Sequence, residues 1–407
     1  MEMRRIRAVL LSVSLFSPAV LAADLTNFIT DLYGGDGIRL LVRPTGPPHD
    51  AHFTAESLDA LSNLNSAITS AVGFSAFNSP VSGVTFDLST GVPVATQDSL
   101  GPLLSERATT IGQNKLNISF SYTRVAFDQF EGTELDSFSL VFPHADVGGP
   151  GGGPPDGILG PPGPLVELDT VTVAVDVTLE QNIYALFGNY GVTDRWDVGI
   201  VVPIIQIEAR ANAFAVASDV TGSDFHTFVG AIDSPVSNTG GTKTGIGDVI
   251  LRTKFNFLEQ HNTLPDMAVT GQITVPTGDE DNLLGTGETR LRGLLVASKK
   301  FGTLTPHVNV GYELTTGIKE LDNLSYAVGF DWKVAVPLTV AADVIGHYNP
   351  QLENVSNHIV DVALAAKWNP FNNHDAPLNA YVILPVNKDH GLRADVIWGL
   401  GIEYTFR

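Results

Sequence analysis

The segment Ala394-Asp-Val-Ile-Trp-Gly-Leu-Gly-Ile-Glu-Tyr-Thr-Phe406 decides the fold class. Every second residue from Ala394 to Phe406 is apolar, and most of the residues between them are acidic, polar or glycine. Side chains alternate faces along a β-strand, so this segment has one face suited to hydrocarbon. A soluble sandwich would bury that face, whereas an outer-membrane barrel would turn it outward to lipid. The choice between a sandwich and a barrel depends on whether the protein is exported and on whether other segments repeat this pattern.

Residues 1–22 have the form of a secretory signal peptide. Three arginines precede an apolar run over 8–16, and Val20 and Ala22 supply the small residues of a cleavage site. The apolar run is shorter than the about 20 residues that a membrane-spanning helix needs. We therefore expect an exported protein and exclude residues 1–22 from the fold.

Composition narrows the function classes. Removal of residues 1–22, which carry three Arg and one Glu, moves the formal charge from −21 to −23. Nucleic-acid binding needs clustered Lys and Arg, so we expect no nucleic-acid partner. The chain has no cysteine, which excludes disulfides, thiolate metal sites and cysteine nucleophiles. With 40 Gly, 24 Pro and only 16% charged residues, the composition favours many strands and turns.

From Ile111 onward the apolar pattern has period two and predicts twelve strands. They cover 116–122, 171–180, 198–211, 249–257, 266–276, 290–300, 305–314, 324–334, 338–348, 358–368, 378–385 and 393–406. Connections after even strands are short, whereas those after odd strands include long loops over 148–164 and 214–244. This asymmetry is typical of outer-membrane barrels with periplasmic termini, and a soluble sandwich does not explain it. A shift of phase beside Pro203 predicts a β-bulge.

The region before these strands lacks clean alternation. It contains an amphipathic pattern over 54–72, which predicts a helix, and a hairpin pattern over 84–96. We expect a signal peptide over 1–22, a partly helical plug or pre-barrel segment over 23–110, and a transmembrane antiparallel β-barrel over 111–407.

Several stretches resemble one family. They are Ser99-Leu-Gly-Pro-Leu-Leu-Ser-Glu-Arg107, Thr110-Ile-Gly-Gln-Asn-Lys-Leu-Asn-Ile-Ser-Phe-Ser-Tyr122, Phe127-Asp-Gln-Phe-Glu-Gly132, Tyr190-Gly-Val-Thr-Asp-Arg-Trp-Asp-Val-Gly199, Gly245-Ile-Gly-Asp-Val249, Val275-Pro-Thr-Gly-Asp-Glu-Asp-Asn-Leu-Leu-Gly-Thr-Gly287 and Pro306-His-Val-Asn-Val-Gly-Tyr312. The chain resembles the outer-membrane transporter family named for the meta-pathway of phenol degradation. More distantly it is similar to outer-membrane channels for fatty acids and hydrocarbons, although it lacks their Asn-Pro-Ala start.

The resemblance implies a bacterial outer-membrane channel that passes hydrophobic or aromatic compounds. Its partners would be outer-membrane lipid and lipopolysaccharide, the barrel-assembly machinery and a small hydrophobic solute. The alternative is a barrel that transports nothing, serving as a structural or adhesive platform or as a lipid-acting enzyme. An enzyme would need Ser and His facing out together on a strand, and no spacing compels this, so we expect no catalytic residue and no cofactor.

Twelve strands should enclose a narrow passage. The candidate lumen-lining residues are the polar residues opposite the apolar faces: Asp176, Glu180, Arg252, Lys254, Asn309, Glu313, Asp331, Lys333, Asp343, Asp361, Lys367, Asp395 and Glu403. They could also pair into a salt-bridged interior with no role in transport. Residues 279–282 form an oxygen-rich loop that would suit a hard cation, but the spacing matches no complete calcium loop, so we expect a solvated loop and no metal site.

Overall fold

Twelve antiparallel strands close into a barrel in the computed structural model of the protein. They are β1 Lys115–Phe127, β2 Thr170–Thr193, β3 Trp196–Ser218, β4 Val249–Leu258, β5 Asp266–Val275, β6 Arg290–Ser298, β7 Leu304–Thr315, β8 Asn323–Ala335, β9 Leu338–Tyr348, β10 His358–Trp368, β11 Leu378–Pro385 and β12 Ile397–Tyr404. The predicted fold class and the number of strands are confirmed, but β2 and β3 are longer than predicted, and β12 begins at Ile397 instead of at residue 393.

The structure describes residues 25–28, 40–41, 68, 84–87, 92–95, 105–144, 168–218, 227–228, 236–317, 319, 322–351, 356–370 and 377–404. The predicted signal peptide, the loop over 148–164 and all but Ile68 of the helix predicted over 54–72 lie outside these residues.

The last strand closes the barrel against the first. β12 pairs with β1, with Leu400 opposite Tyr122, and β1 pairs in turn with β2, with Ser121 opposite Ala185. Every other barrel strand pairs with its neighbours in the chain. Closure satisfies the backbone donors and acceptors of both terminal strands, which an open sheet in a bilayer would leave unpaired.

The two ends of the barrel differ. Short turns such as 194–195 and 336–337 join strands at the end that is periplasmic in barrels of this type. The opposite end carries the longer connections, among them 128–169, 219–248 and 276–289.

The β2 and β3 hairpin is much longer than the barrel wall. Its strands have 24 and 23 residues, and a rise of about 3.3 Å per residue gives about 80 Å. The strands Phe138–Pro143 and Val236–Ile246 pair with its upper part. The loop predicted over 214–244 is therefore too long at both ends. Residues 214–218 belong to β3, and residues 236–244 belong to the strand Val236–Ile246, which lacks apolar alternation and is held by backbone pairing with β3.

A β-bulge lies opposite Pro203. Between the pairs Ile204 with Ile246 and Val201 with Ile250, β3 has two residues and the facing chain has three. Gly247 N donates to Pro203 O at 2.9 Å. The bulge is thus at the predicted level but on the partner chain.

The phase shift within β3 has a different cause. Ile200 and Ile204 face outward, whereas Ile207 and Ala211 face inward, although the side chains alternate without interruption. Apolar residues change face because the lower wall meets lipid outside, while the upper wall meets water outside and encloses an apolar core.

The outer face of the lower wall is apolar on every barrel strand. Among its exposed residues are Phe120, Leu186, Ile200, Leu251, Phe255, Val269, Leu295, Val310, Val328, Val344, Leu364 and Leu400. Tryptophans 196, 332 and 368 lie near the short turns, and toward the other rim Tyr122 contacts both Tyr184 and Trp398. An apolar band between aromatic girdles is the lipid-facing surface of an outer-membrane barrel.

Short elements complete the described fold. These are the 3-10 helices Leu25–Asn27, Leu135–Ser137 and Glu280–Asn282, and the strands Leu40–Leu41, Val84–Asp87, Val92–Ala95, Gln129–Phe130, Thr133–Glu134, Thr227–Phe228 and Leu392–Arg393. Val84–Asp87 pairs with Val92–Ala95, which confirms the hairpin predicted over 84–96. Within the described ranges no helix is both long enough and apolar enough to cross a membrane.

Candidate functional site

The barrel interior is the candidate site, and residues 105–111 run through its periplasmic half. We call this stretch the plug segment. Its lower end is tied to the turn between β2 and β3, where Thr110 Oγ1 donates to Asp194 O at 2.5 Å. A turn then leads into β1, and a Cβ on Gly191 would overlap the Gly112 carbonyl oxygen. The plug segment therefore starts at the periplasmic rim and reaches up into the lumen.

Glu106 makes the central contact of the plug segment. Its Oε1 pairs with Arg252 Nη2 at 2.6 Å and its Oε2 with Lys254 Nζ at 2.8 Å. Thr270 Oγ1 donates to Oε2 at 3.4 Å. These side chains are buried, so the attraction is little screened by water.

Arg107 and Ser105 reach the opposite wall. Arg107 forms an ion pair with Asp331 on β8, in which Nε donates to Oδ1 at 2.8 Å. Ser105 Oγ donates to Asp343 Oδ1 at 2.6 Å and lies 2.5 Å from His307 Nε2. The plug segment is thus fixed on both sides of the lumen.

Wall side chains also bind the backbone of the plug segment. Asn309 accepts from Glu106 N at 2.7 Å and donates to Glu106 O at 2.9 Å, as a paired strand would. Lys254 Nζ donates to Arg107 O, and Asn256 Nδ2 donates to Ala108 O, both at 3.0 Å. This network satisfies backbone groups that would otherwise be buried without partners.

The extracellular half of the interior is apolar. The inward residues of β2 from Val171 to Leu179 contact those of β3 from Ile205 to Ala215. Leu25, Phe28 and Ile68, from the region before the barrel, are buried against this surface. Leu25, Phe28 and Ile68 therefore contact the upper half of the interior, and the plug segment contacts the lower half.

A loop over 276–289 closes part of this upper half. Asp248 holds it, accepting from Gly278 N and from Thr286 N, each at 3.0 Å. Leu283 and Leu284 point into the apolar core, and Leu283 adopts the left-handed conformation with φ 55°. Few residues other than glycine adopt that conformation without cost, so burial of the leucine offsets local strain.

Most of the candidate lumen-lining residues lie inside the barrel. Arg252, Lys254, Asn309, Asp331 and Asp343 contact the plug segment directly. Glu313 pairs with Arg290, Asp361 with Arg393, and Lys367 with Glu403, while Lys333 is half-buried near the periplasmic end of β8. Their role in lining a transport path remains a prediction.

Three candidates face the outside. Asp176 is exposed and Glu180 pairs with Arg124 on the outer face, because the upper part of β2 turns its polar residues to water. Asp395 precedes β12 in an exposed loop, where Lys388 donates to its Oδ1 at 2.6 Å. That hydrogen bond raises the pKa of Lys388. The assignment of these residues to the lumen is wrong.

The sequence interpretation missed the contacts made by Ser105, Glu106 and Arg107. The available signal for these contacts was the adjacent pair of opposite charges, Glu106 and Arg107, within an otherwise apolar and glycine-rich stretch. The acidic residues 279–282 form a short 3-10 turn in which Asn282 Nδ2 donates to Asp279 Oδ2 at 2.6 Å. Among the residues that the structure describes, no group of three or more potential ligands is placed to hold a metal.

Fold and interior together define a class: a closed outer-membrane β-barrel whose lumen holds a segment of its own N-terminal region. Residues 168–406 match the family described as "Putative MetA-pathway of phenol degradation", and the chain belongs to this family. No curated protein matches the sequence.

Several solved outer-membrane channels are similar in structure. The COG4313 outer membrane channel from Pseudomonas putida F1 has a TM-score of 0.44 at 10% identity, covering 73% of this chain and 97% of that chain. A Pseudomonas aeruginosa FadL homologue gives 0.34 at 11% identity, with coverage of 72% and 90%. The CymD monoaromatic hydrocarbon channel gives 0.34 at 8% identity, with coverage of 72% and 89%.

Proposed function

We propose that the protein is an outer-membrane channel for passive uptake of small hydrophobic or aromatic compounds, with residues 23–110 acting as plug. The observation that carries this proposal is the division of the interior into two zones. An apolar zone lies toward the extracellular end, and below it the plug segment occupies a polar zone. The description of the family, which names phenol degradation, supports an aromatic solute.

The plug segment makes the proposed channel a gated one. A solute that reaches the apolar zone must pass the level of Glu106 and Arg107 to enter the periplasm through the lumen. Passage therefore requires displacement of the plug segment, and the ion pairs to Arg252, Lys254 and Asp331 set the cost of that displacement. The proposal also includes lipopolysaccharide around the outer rim and delivery by the barrel-assembly machinery.

Influx into vesicles with a lipopolysaccharide outer leaflet tests the proposal, because that leaflet slows apolar solutes that cross phospholipid unaided. Vesicles containing the protein should take up phenol faster than empty vesicles, with no matching gain for arabinose. Equal phenol rates with and without protein would contradict a channel. A comparable gain for arabinose would indicate a general pore instead of an aromatic channel.

A lipid-acting enzyme is favoured by one observation, the contact of Ser105 with His307. The geometry differs from a hydrolytic triad, because Ser105 and Asp343 both approach Nε2 of the ring, at 2.5 and 2.7 Å. In a triad the carboxylate instead hydrogen-bonds the second ring nitrogen, and here Asp331 Oδ1 lies 3.7 Å from that Nδ1, beyond hydrogen-bond distance, and accepts from Arg107. Esterase turnover abolished by Ser105→Ala would establish the enzyme, and we expect none.

A further inference from the structure

One part of the interior wall concentrates positive charge. Arg252 and Lys254 on β4 and Arg290 and Arg292 on β6 point inward, and they are separated only by β5. Two wall carboxylates lie beside them, Asp197 on β3 and Glu313 on β7. The chain as a whole has a formal charge of −21, so this concentration of cations runs against its composition.

The strand registers bring these groups to nearly one level. Arg252 is opposite Gln272, and Gln272 is opposite Arg292. Lys254 and its neighbour Thr270 lie two residues below. Arg252, Lys254, Thr270 and Arg292 therefore form one small area of the inner wall, which we call the basic patch.

Glu106 binds the basic patch as a carboxylate ligand would. One oxygen meets a guanidinium at 2.6 Å, and the other meets an ammonium at 2.8 Å and a hydroxyl at 3.4 Å. Charge-assisted contacts to both oxygens are the usual way in which proteins recognise carboxylates. The site is fully built, and its occupant belongs to the segment that must move for the channel to open.

Arg292 shares a wall carboxylate with Arg290. Its Nη2 donates to the Ser325 hydroxyl at 2.7 Å, and Glu313, its cross-strand neighbour on β7, pairs with Arg290 at 3.4 Å. Departure of Glu106 would leave three cations of the basic patch facing the lumen with reduced compensation. Buried cations require a counter-charge, so an anion should replace Glu106 when the plug segment leaves.

We propose that the basic patch is a binding site for a small carboxylate with an apolar body, such as an aromatic acid, and that Glu106 occupies it as a built-in competitor. The apolar zone above would hold the body of the ligand while the basic patch holds its carboxylate. The inference rests on the proposed function, since it names the substrate class of that channel.

Calorimetric binding of benzoate tests the site directly, with benzyl alcohol as a neutral aromatic control. Glu106→Gln should bind benzoate about tenfold or more tightly than the unaltered protein, because the competing carboxylate is gone. Adding Arg252→Gln should remove that gain, whereas adding Arg124→Gln, which deletes a guanidinium on the outer face, should not. Equal affinities of Glu106→Gln for benzoate and benzyl alcohol would overturn the proposal.

A second measurement needs no change in the wall. The chain has no cysteine, so Ala108→Cys places a single thiol on the buried plug segment. Benzoate should accelerate labelling of this thiol by a soluble reagent, because a ligand that takes the place of Glu106 stabilises the displaced state. Benzyl alcohol should not, and equal labelling with both would overturn the site.

The outcomes separate this inference from the proposed function. Benzoate binding without phenol influx would remove the channel and leave the anion site. Phenol influx without any preference for benzoate in either measurement would leave the channel and remove the site.

Discussion

Glu106→Gln should release the plug segment by a predictable amount. The carboxylate makes ion pairs of 2.6 and 2.8 Å to Arg252 and Lys254 at side chains that are at most 8% exposed. Removing one partner of a buried pair costs about 3–5 kcal/mol, and the amide oxygen of Gln retains part of the contact. We therefore take about 3 kcal/mol as the loss in docking free energy, which is about 100-fold in the equilibrium between docked and displaced plug.

Thiol labelling of Ala108→Cys measures that equilibrium. Ala108 is completely buried, so a soluble reagent reaches Cys at this position only in the displaced state. When displacement is fast relative to labelling, the labelling rate is proportional to the displaced population. The rate should rise about 100-fold when Glu106→Gln is added.

The matched control is Glu180→Gln, which removes a carboxylate from an ion pair with Arg124 on the outer face. It should leave the labelling rate of Ala108→Cys unchanged. A rate within twofold of the parent for Glu106→Gln, with normal heat-modifiable migration of the barrel, would refute the assignment of Glu106 as the main anchor.

Three further predictions concern other parts of the structure. Leu400→Arg, at a lipid-facing position in the middle of β12, should destabilise the barrel by about 2–4 kcal/mol in urea unfolding. Asp395→Arg, in the exposed loop, should not destabilise it. Equal effects of the two substitutions would contradict the assigned faces. Asp248→Asn should weaken the anchoring of the loop over 276–289 by about 1–3 kcal/mol and speed cleavage of that loop by protease added to intact cells. Asp281→Asn, in the same loop, is the control. Equal cleavage rates of the two variants would argue against Asp248 as the anchor. Glu403→Gln should lower the free energy of unfolding by about 3–5 kcal/mol, because it leaves the buried Lys367 without its ion-pair partner. Adding Lys367→Met should recover most of that loss in tryptophan-monitored unfolding. A double variant as unstable as the single one would contradict the pairing.

The barrel itself was predictable because membrane strands follow a simple rule. Lipid requires an apolar residue at every second position, so the alternation in β7, β8 and β10 fixes both the strands and their faces. Where the wall leaves the membrane the rule reverses, and that reversal explains why Asp176 and Glu180 were assigned to the wrong face.

The interior was less predictable for a physical reason. A buried charge is recognisable as a lumen residue from its strand position, but its partner depends on distant segments, as with Glu106 and Arg252, which are 146 residues apart. The stretches that carry the family resemblance include Ser105, Glu106, Arg107, Asp197 and Asp248. Each of these holds the plug segment or the loop over 276–289, a role that no local pattern reveals.

Locking the plug segment to the wall tests the central claim most directly. Ala108 and Ala268 of β5 share one buried apolar cluster, so Ala108→Cys with Ala268→Cys offers a disulfide in a chain without other cysteines. In lipopolysaccharide-coated vesicles, oxidation of this variant should abolish protein-dependent phenol influx, and reduction should restore it. Equal influx in the oxidised and reduced forms, with the disulfide verified, would show that phenol does not pass by displacement of the plug segment.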